Sequence, residues 1–287
     1  DVARKCIVLL KNNNRLLPLP KGQKGIGLIG PLADDKTSPL GNWRLSADEE
    51  SAVSVLEGMR WYSDDVTYEK GVKLITNHAN MDIEAFVNYD DRTGFEDAIK
   101  LAENSQVVVM VLGEHGLQTG EGRSRAHLTL PGLQQELLES VWRVNPNIIL
   151  ILMNGRPLAI PWADEHVPAI IEAWHLGTMS GQAIADVVFG ECNPSGKLPM
   201  TFPRSVGQVP IYYNYCMTAR PAPWGLKDMV YWSHYIDEGN DPLYPFGYGL
   251  SYTVFEYLNL KVYVRGRDEV YVTVVVKNVG DVFGEEV

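Results

Sequence analysis

Four short, largely apolar runs constrain the fold of this chain more than any other feature of its sequence. Polar and apolar residues do not alternate within them, which indicates strands buried on both faces, as in a parallel sheet. Each run is also too short for a typical helix. The runs are Ile26–Ile29, Val107–Leu112, Ile148–Met153 and Ala169–Trp174.

Helical patterns lie between these runs. The sequence from Thr93 to Glu96 has the form of a capping box and predicts a helix that continues to about Glu103. Residues 131–144 place their apolar side chains on one broad stripe. A third helix is predicted to begin with Ser180 as its cap and to end at Gly190. The alternation predicts the α/β class, an open and mostly parallel sheet flanked by helices in an α/β sandwich.

The pattern changes in the last third of the chain. Residues 207–247 are rich in proline, tyrosine, tryptophan and glycine, which favours an ordered connection across the surface. The runs 255–264 and 269–277 alternate and predict antiparallel strands, whereas a complete sandwich needs about seven strands. We therefore predict an α/β domain over residues 1–215, a connecting segment over 216–250 and an incomplete β-sandwich over 251–287.

Composition excludes several classes of function. The net charge of -11 argues against a nucleic-acid partner, because phosphate binding needs a basic surface. No run approaches the roughly 20 apolar residues of a membrane span, so no membrane partner is expected. Histidines and cysteines are scattered without ligand spacing, so we expect no metal and no cofactor. Gly25, Gly27 and Gly30 match GxGxxG, but Pro31 follows them rather than a helix, which disfavours a dinucleotide site.

The segment 113–125 carries most of the chemically informative residues. It is rich in glycine, contains Glu114 and Glu121 together with two arginines, and lies between a predicted buried strand and a predicted helix. Ligand groups in open α/β sheets lie on such loops, at the carboxyl ends of strands. Glycosidases need a carboxylic acid and a second carboxylate, and this loop supplies a candidate acid. The residues alone, however, favour an ordinary solvated polar loop.

Glu114 and Glu121 compete for the role of the acid. Glu114 comes directly after the strand, where backbone donors are expected to hold it ionised, and Glu121 lies farther out. His115 is predicted to be a hydrogen-bonding loop residue. Trp43 lies on a glycine-containing loop after the first strand, where its ring could stack on a sugar or equally well pack in the core.

Taken together, these segments resemble the C-terminal part of glycoside hydrolase family 3, the β-glucosidase and β-xylosidase family. The resemblance covers nearly the whole chain, and the motifs follow one another in the family's order. They are Val8–Asn12, Leu16–Leu19, Leu28–Asp34, Gly41–Trp43, the loop 113–125, Asn154–Leu158, Asn193–Pro199, Thr201–Pro203, Gly207–Pro210, Tyr213–Asn214 and Leu243–Tyr252.

The resemblance implies a retaining β-glycosidase in which an N-terminal barrel supplies the nucleophilic aspartate. This chain would supply the α/β sandwich and the start of a fibronectin III-like domain. Glu121 would be the general acid/base and Glu114 a structural residue, while Trp43 and Arg125 would contact the substrate, a β-linked oligosaccharide or glycoside. The fragment alone would then be inactive. The family also implies a periplasmic or extracellular location.

Two features of the sequence qualify this assignment. Asp65, rather than tryptophan, follows Ser63-Asp64, so we do not interpret that pair as the family's nucleophile. An arginine in direct contact with Glu121 would hold it ionised, so Arg123 and Arg125 are predicted to turn away from it. Two further interpretations stay open: a carbohydrate-binding or interaction module without catalysis, and a flavodoxin-like nucleotide-binding domain.

Overall fold

A six-stranded sheet organises most of the chain in the computed structural model, which describes residues 1–214, 220 and 230–287. Its strands, β1 to β6, are Val8–Asn12, Ile26–Ile29, Val66–Glu69, Val107–Gly113, Ile148–Met153 and Ala169–Glu172. Five of the strands are parallel, and β1 pairs antiparallel with β6 at one edge. The predicted mostly parallel sheet is therefore confirmed.

The order of the strands is β1-β6-β5-β4-β2-β3. Strand β3 lies on one side of β2. The chain then crosses over, so that β4 lies on the other side of β2 and β2 pairs with both strands. The order of the parallel strands is that of the flavodoxin type of doubly wound sheet, which has its topological switch point between β2 and β4. Ligands bind such sheets beside the carboxyl ends of the strands at this point.

Helices cover both faces of the sheet. Val107, Val109 and Val111 of β4 face one apolar core, whereas Val108 and Met110 face the other. This burial on both sides explains why the strand sequence is apolar without alternation. Helices α1, α2 and α6 cover the first face and α3, α4 and α5 the second. The helices are Val2–Cys6, Val55–Arg60, Phe95–Glu103, Gln134–Val144, Pro161–His166 and Ser180–Val188.

Two predicted helix caps are wrong. Gly94, in the left-handed region with φ 100°, caps α3, and Thr93 instead donates its backbone N–H to Asp91 Oδ1. Met179 precedes α6, so Ser180 is the first residue of that helix, and its buried hydroxyl has no hydrogen-bond partner within the described part of the chain. Gly190 ends α6 as predicted, with φ 72° and a bond from its N–H to the carbonyl of Val187.

The glycines of the GxGxxG match serve packing within the sheet. Gly27 lies inside β2, where a Cβ atom would lie 2.3 Å from Ser105 Oγ. Gly30 has φ 130°, and a Cβ atom there would lie 2.2 Å from the carbonyl oxygen of Val111. The next α-helix begins only at Val55. A phosphate loop needs a helix directly after these glycines, so the dinucleotide interpretation finds no support here.

The second sheet is an antiparallel hairpin of β7, Phe255–Arg265, and β8, Glu269–Asn278. It confirms the predicted small antiparallel sheet at the end of the chain. Nearly all of its residues are exposed on both faces. Asn193, which follows α6, bonds to the segments on either side of the hairpin: its Oδ1 accepts from the N–H of Tyr252 and its Nδ2 donates to the carbonyl of Phe283.

Residues 215–219 and 221–229, which include the last residue of the predicted α/β domain and part of the predicted connecting segment, lie outside the described residues. The domain boundaries inferred from sequence stay predictions. In the described ranges, no helix combines the length and apolar character needed to cross a membrane.

Candidate functional site

Two loops meet at the switch point of the sheet. One follows β2 and carries Trp43, and the other follows β4 and carries Glu121. They touch where Gly116 passes over Ser38, since a Cβ atom on Gly116 would lie 2.9 Å from the Ser38 carbonyl oxygen. The sheet topology therefore brings together two residues that lie far apart in the sequence.

Glu121 lies at the tip of a turn. The backbone N–H of Arg123 donates to the carbonyl of Gly120 at 3.2 Å, and Gly122 has φ 71°. This left-handed conformation at the third position of a turn favours glycine over other residues. Glu121 is exposed, and its carboxylate makes no hydrogen bond or ion pair with any residue that the structure describes. The carboxylate is thus available to a ligand.

Trp43 is exposed over 68% of its surface, so it is not a core residue. The preceding residue, Asn42, is buried and packs against the Glu121 turn. A Cβ atom on Gly120 would lie 1.9 Å from Asn42 Nδ2, so the close approach of the two loops needs glycine at this position. Asn42 therefore fixes the loop of Trp43 against the loop of Glu121.

Glu114 is fully buried at the end of β4. Its Oε1 lies 2.7 Å from Arg125 Nη1 and 3.0 Å from Arg156 Nε, and its Oε2 accepts from the backbone N–H of Gly155 at 3.1 Å. We expected backbone donors here, but only one takes part, and two guanidinium groups supply the other contacts. A carboxylate enclosed in this way cannot reach a sugar, and it links the loop after β4 to the loop after β5.

Arg123 and Arg125 both point away from Glu121, as expected. Arg125 has its side chain 17% exposed and donates to Glu114 and, through Nη2, to the carbonyl of Thr129 at 2.8 Å. Arg123 donates to Asn42 Oδ1 and to two backbone carbonyls. Contact of Arg125 with a substrate stays a prediction, since its strongest bonds lie within the protein.

A second buried carboxylate, Glu172, was missed by the sequence analysis. It ends β6 and accepts from the backbone N–H of Trp174 at 2.8 Å and from Asn154 Nδ2 at 3.1 Å. Burial raises the pKa of Glu172 well above its usual range, and the nearby charge of Glu114 acts in the same direction. The signal in the sequence was a charged residue inside an apolar run.

Two histidines lie beside Glu114 and the Trp43 loop. Burial lowers the pKa of His115 and of His175, so both rings favour the neutral form. His115 Nδ1 accepts from the backbone N–H of Leu117 at 3.2 Å, in agreement with the predicted hydrogen-bonding role. His175 Nε2 lies 3.4 Å from the carbonyl oxygen of Glu114. Both rings stabilise loop conformation.

A cleft of about 380 Å³ lies beside the Glu121 turn. Its volume is in the range of small-molecule sites, and its walls combine an aromatic ring with charged groups. The lining residues include Glu84, Tyr89, Gly122, Arg123, Arg125 and His127.

The pair Ser63-Asp64 lies at the opposite edge of the sheet. It precedes β3, whereas Glu121 follows β4, and the two strands run in the same direction. Ser63 is buried and donates its hydroxyl to the carbonyl of Gln23. This pair therefore has no access to the Glu121 turn.

Comparison with known proteins places this geometry in a family. The family described as "Glycosyl hydrolase family 3 C-terminal domain" matches residues 7–252. A periplasmic beta-glucosidase of Salmonella typhimurium is 42% identical over 89% of this chain. A beta-xylosidase of Formosa agariphila is 38% identical over the whole chain. The chain covers 34% of the first protein and 38% of the second, so it spans little more than a third of their length.

A solved structure has the same fold. The crystal structure of a beta-glucosidase from Listeria innocua in complex with isofagomine superposes with a TM-score of 0.87 at 35% identity. The match includes 98% of this chain and 37% of that one. Because the family match covers most of the sequence and the fold agrees, this chain belongs to glycosyl hydrolase family 3 and carries the family's C-terminal domain.

Proposed function

We propose that this chain is the acid/base-bearing part of a retaining β-glycosidase, similar to a β-glucosidase, that hydrolyses terminal non-reducing β-D-glycosyl residues. The general acid/base is Glu121. The observation that carries this proposal is an exposed carboxylate, without a partner among the described residues, at the switch point of the sheet on a loop that packs against the loop of the exposed Trp43. Glu114 is enclosed by its own partners and takes a structural role.

In this mechanism Glu121 first protonates the oxygen of the leaving group. It then removes a proton from the water that releases the sugar with retained configuration. A retaining enzyme needs a second carboxylate about 5–5.5 Å away as the nucleophile. We assign that role to an aspartate of an N-terminal barrel in the same protein, which accords with the greater length of the relatives.

Trp43 and Arg125 would complete the substrate side of the site. The exposed Trp43 ring offers an apolar face to the leaving group of a β-linked oligosaccharide or glycoside. Arg125 lines the cleft beside the Glu121 turn, and its bond to Glu114 fixes the shape of that cleft. The name of the Salmonella relative supports a periplasmic or extracellular location.

The test is Glu121→Gln in the full-length enzyme. We expect kcat/KM for a β-linked glucose disaccharide to fall by about 10²–10⁴-fold, the usual contribution of a positioned acid. A dinitrophenyl β-glucoside, whose leaving group needs no proton, would retain most of its kcat/KM. The matched control is Glu165→Gln, an exposed carboxylate of α5, which would leave both rates unchanged. Unchanged turnover of the disaccharide by Glu121→Gln would show that the assignment is wrong.

The isolated chain of 287 residues would not hydrolyse aryl β-glucosides, because it would lack the nucleophile. Addition of the purified chain to such a substrate measures this directly, with the full-length enzyme as the positive control. Sustained turnover by the isolated chain would contradict the division of the two carboxylates between domains.

A carbohydrate-binding or interaction module without catalysis is the alternative, and the exposed ring of Trp43 is the observation that favours it. Calorimetric titration of the isolated chain with mono- and disaccharides separates the two proposals. Micromolar affinity that is lost in Trp43→Ala would favour the module. No binding by the isolated chain, together with activity of the full-length enzyme, would favour the glycosidase.

A further inference from the structure

Arg123 joins three segments that surround Glu121. Its side chain is only 9% exposed, although the residue lies on a surface loop. Nη1 donates to Asn42 Oδ1 at 3.2 Å and to the carbonyl of Leu117 at 3.0 Å, and Nη2 donates to the carbonyl of Met81 at 3.3 Å. One planar guanidinium therefore connects the Trp43 loop, the Glu121 loop and the segment that contains Met81.

The contact with Asn42 is the most informative of the three. Asn42 directly precedes Trp43, and its Oδ1 accepts from Arg123. Its Nδ2 lies against Gly120, which directly precedes Glu121. The side chain of Asn42 is thus held between Gly120 and Arg123, which lie on either side of Glu121 in the chain, and Arg123 fixes its orientation.

The third segment is a compact turn over residues 77–86. Asn77 Oδ1 accepts from the backbone N–H of Phe86, and Asn80 Oδ1 accepts from that of Ile83. Arg123 reaches this turn through Met81 and through Glu84, whose Oε2 lies 4.0 Å from Nε. The turn forms part of the cleft wall beside Gly122.

The backbone of Arg123 is held as well. Its carbonyl accepts from Arg156 Nη2 at 3.0 Å, and its N–H closes the turn at Gly120. The two backbone bonds fix the end of the Glu121 turn. The side chain of Arg123 fixes the segments that pack around that turn. Among the described residues (1–214, 220 and 230–287), none forms a hydrogen bond or ion pair with the Glu121 carboxylate.

We infer that Arg123 is a positioning residue for the acid step: it sets the place of the Glu121 carboxylate relative to Trp43 and the cleft wall without contacting the carboxylate. The inference rests on the proposed role of Glu121. A buried guanidinium suits this task because it satisfies several acceptors in a fixed plane and keeps its charge at every accessible pH. Displacement of a catalytic group by about 1 Å costs about 10²-fold in rate.

The test compares leaving groups in the full-length enzyme. In Arg123→Ala, kcat/KM for a β-linked glucose disaccharide would fall by about 10–10²-fold, because a displaced acid protonates poorly. The value for a dinitrophenyl β-glucoside would fall by less than about threefold, since its leaving group needs no proton. Arg123→Lys keeps the positive charge but not the planar guanidinium. This variant would give an intermediate loss of kcat/KM for the disaccharide.

Arg92→Ala is the matched control. Arg92 forms a two-bonded ion pair with Glu136, is exposed, and does not line the cleft beside the Glu121 turn. This variant would have the wild-type kcat/KM for both substrates. Thermal unfolding of all variants shows whether they fold, and if Arg123→Ala does not, Arg123→Lys and Arg123→Gln carry the comparison.

A double-mutant cycle with Asn42→Ala adds a second measurement. If Arg123 acts through Asn42, the two losses in disaccharide kcat/KM would be strongly non-additive. Equal losses for both substrates in Arg123→Ala would overturn the inference and reduce Arg123 to a structural residue. If Glu121→Gln also shows no dependence on the leaving group, the proposed function fails; if it does show that dependence, only the role of Arg123 fails.

Discussion

Three carboxylates, Glu114, Glu121 and Glu172, lie at the same edge of the six-stranded sheet and differ in what surrounds them. Glu114 is buried with two guanidinium groups. Glu172 is buried with neutral donors, and no cation among the described residues contacts it. Glu121 is exposed and has no partner in the described part of the chain. At the residue scale, environment rather than residue type therefore separates an ion-paired structural carboxylate, a buried carboxyl group with a raised pKa and a candidate catalytic group.

Glu172→Gln would change the pH dependence of stability. Because the folded state raises the pKa of Glu172, its contribution to stability is complete below its unfolded pKa of about 4.3 and is lost as the pH rises through the folded pKa. Glutamine does not titrate. Relative to the wild-type chain, the free energy of unfolding of the variant would therefore increase as the pH rises above the unfolded pKa of about 4.3.

Urea denaturation of the isolated chain at several pH values measures this difference. Glu165→Gln, at an exposed position of α5, serves as the control and would keep a constant difference from wild type. A difference between Glu172→Gln and wild type that does not change with pH would mean that Glu172 is ionised in the folded state.

At the scale of elements, the contact between α2 and α6 depends on two glycines. A Cβ atom on Gly58 would lie 2.1 Å from the carbonyl oxygen of Gly181, and one on Gly181 would lie 1.9 Å from that of Ser54. Ser54 also closes a capping box with Glu57 at the start of α2. The loop that carries Trp43 ends at this cap, so the spacing of the helices fixes one end of the loop.

Gly58→Ala would force the two helices apart, because backbone atoms cannot turn aside as a side chain can. We expect the free energy of unfolding to fall by about 1–3 kcal/mol, the usual effect of overpacking. Gly207→Ala is the control: its Cβ atom would lie 3.6 Å from the nearest atom, an ordinary contact. Denaturant unfolding of the isolated chain measures both, and equal stability of the two variants would contradict the steric argument.

On the scale of the whole molecule, the two sheets differ in burial. Strands β4 and β5 are buried along their entire length, whereas β7 and β8 expose both faces. A two-stranded hairpin by itself is only marginally stable in water, since it buries little apolar surface. The stability of this chain therefore resides in the six-stranded sheet and the helices that cover it.

Hydrogen exchange would show this difference in the isolated chain. Amides of Val107–Gly113 and Ile148–Met153 would exchange only on global unfolding, whereas those of β7 and β8 would exchange through local opening at much lower free energy. Peptide-resolved mass spectrometry distinguishes the segments. Equal protection of the hairpin and of β4 would indicate that the hairpin shares the main cooperative unit.

The predicted strands at β2, β4, β5 and β6 are confirmed because burial on both faces leaves a continuous apolar signal. The caps at Thr93 and Ser180 were wrong because a cap is decided by backbone dihedral angles that neighbouring loops impose. Strand β1 was not predicted: its sequence Val8-Leu9-Leu10-Lys11-Asn12 gives no sign of an antiparallel partner about 160 residues away, as its pairing with β6 requires.

The sequence alone determined the α/β class, the loop that holds Glu121 and, through ordered motifs, the family. These are local properties, fixed by the run of apolar residues and by short segments. Only the tertiary structure decided which partner each charged side chain contacts: Arg125 contacts Glu114, Glu172 contacts Asn154, and Arg123 contacts Asn42. Such pairings depend on the strand order, which brings distant loops to one edge. Among the residues that the structure describes, Glu121 has no partner there, because Arg123 and Arg125 are bound to other groups.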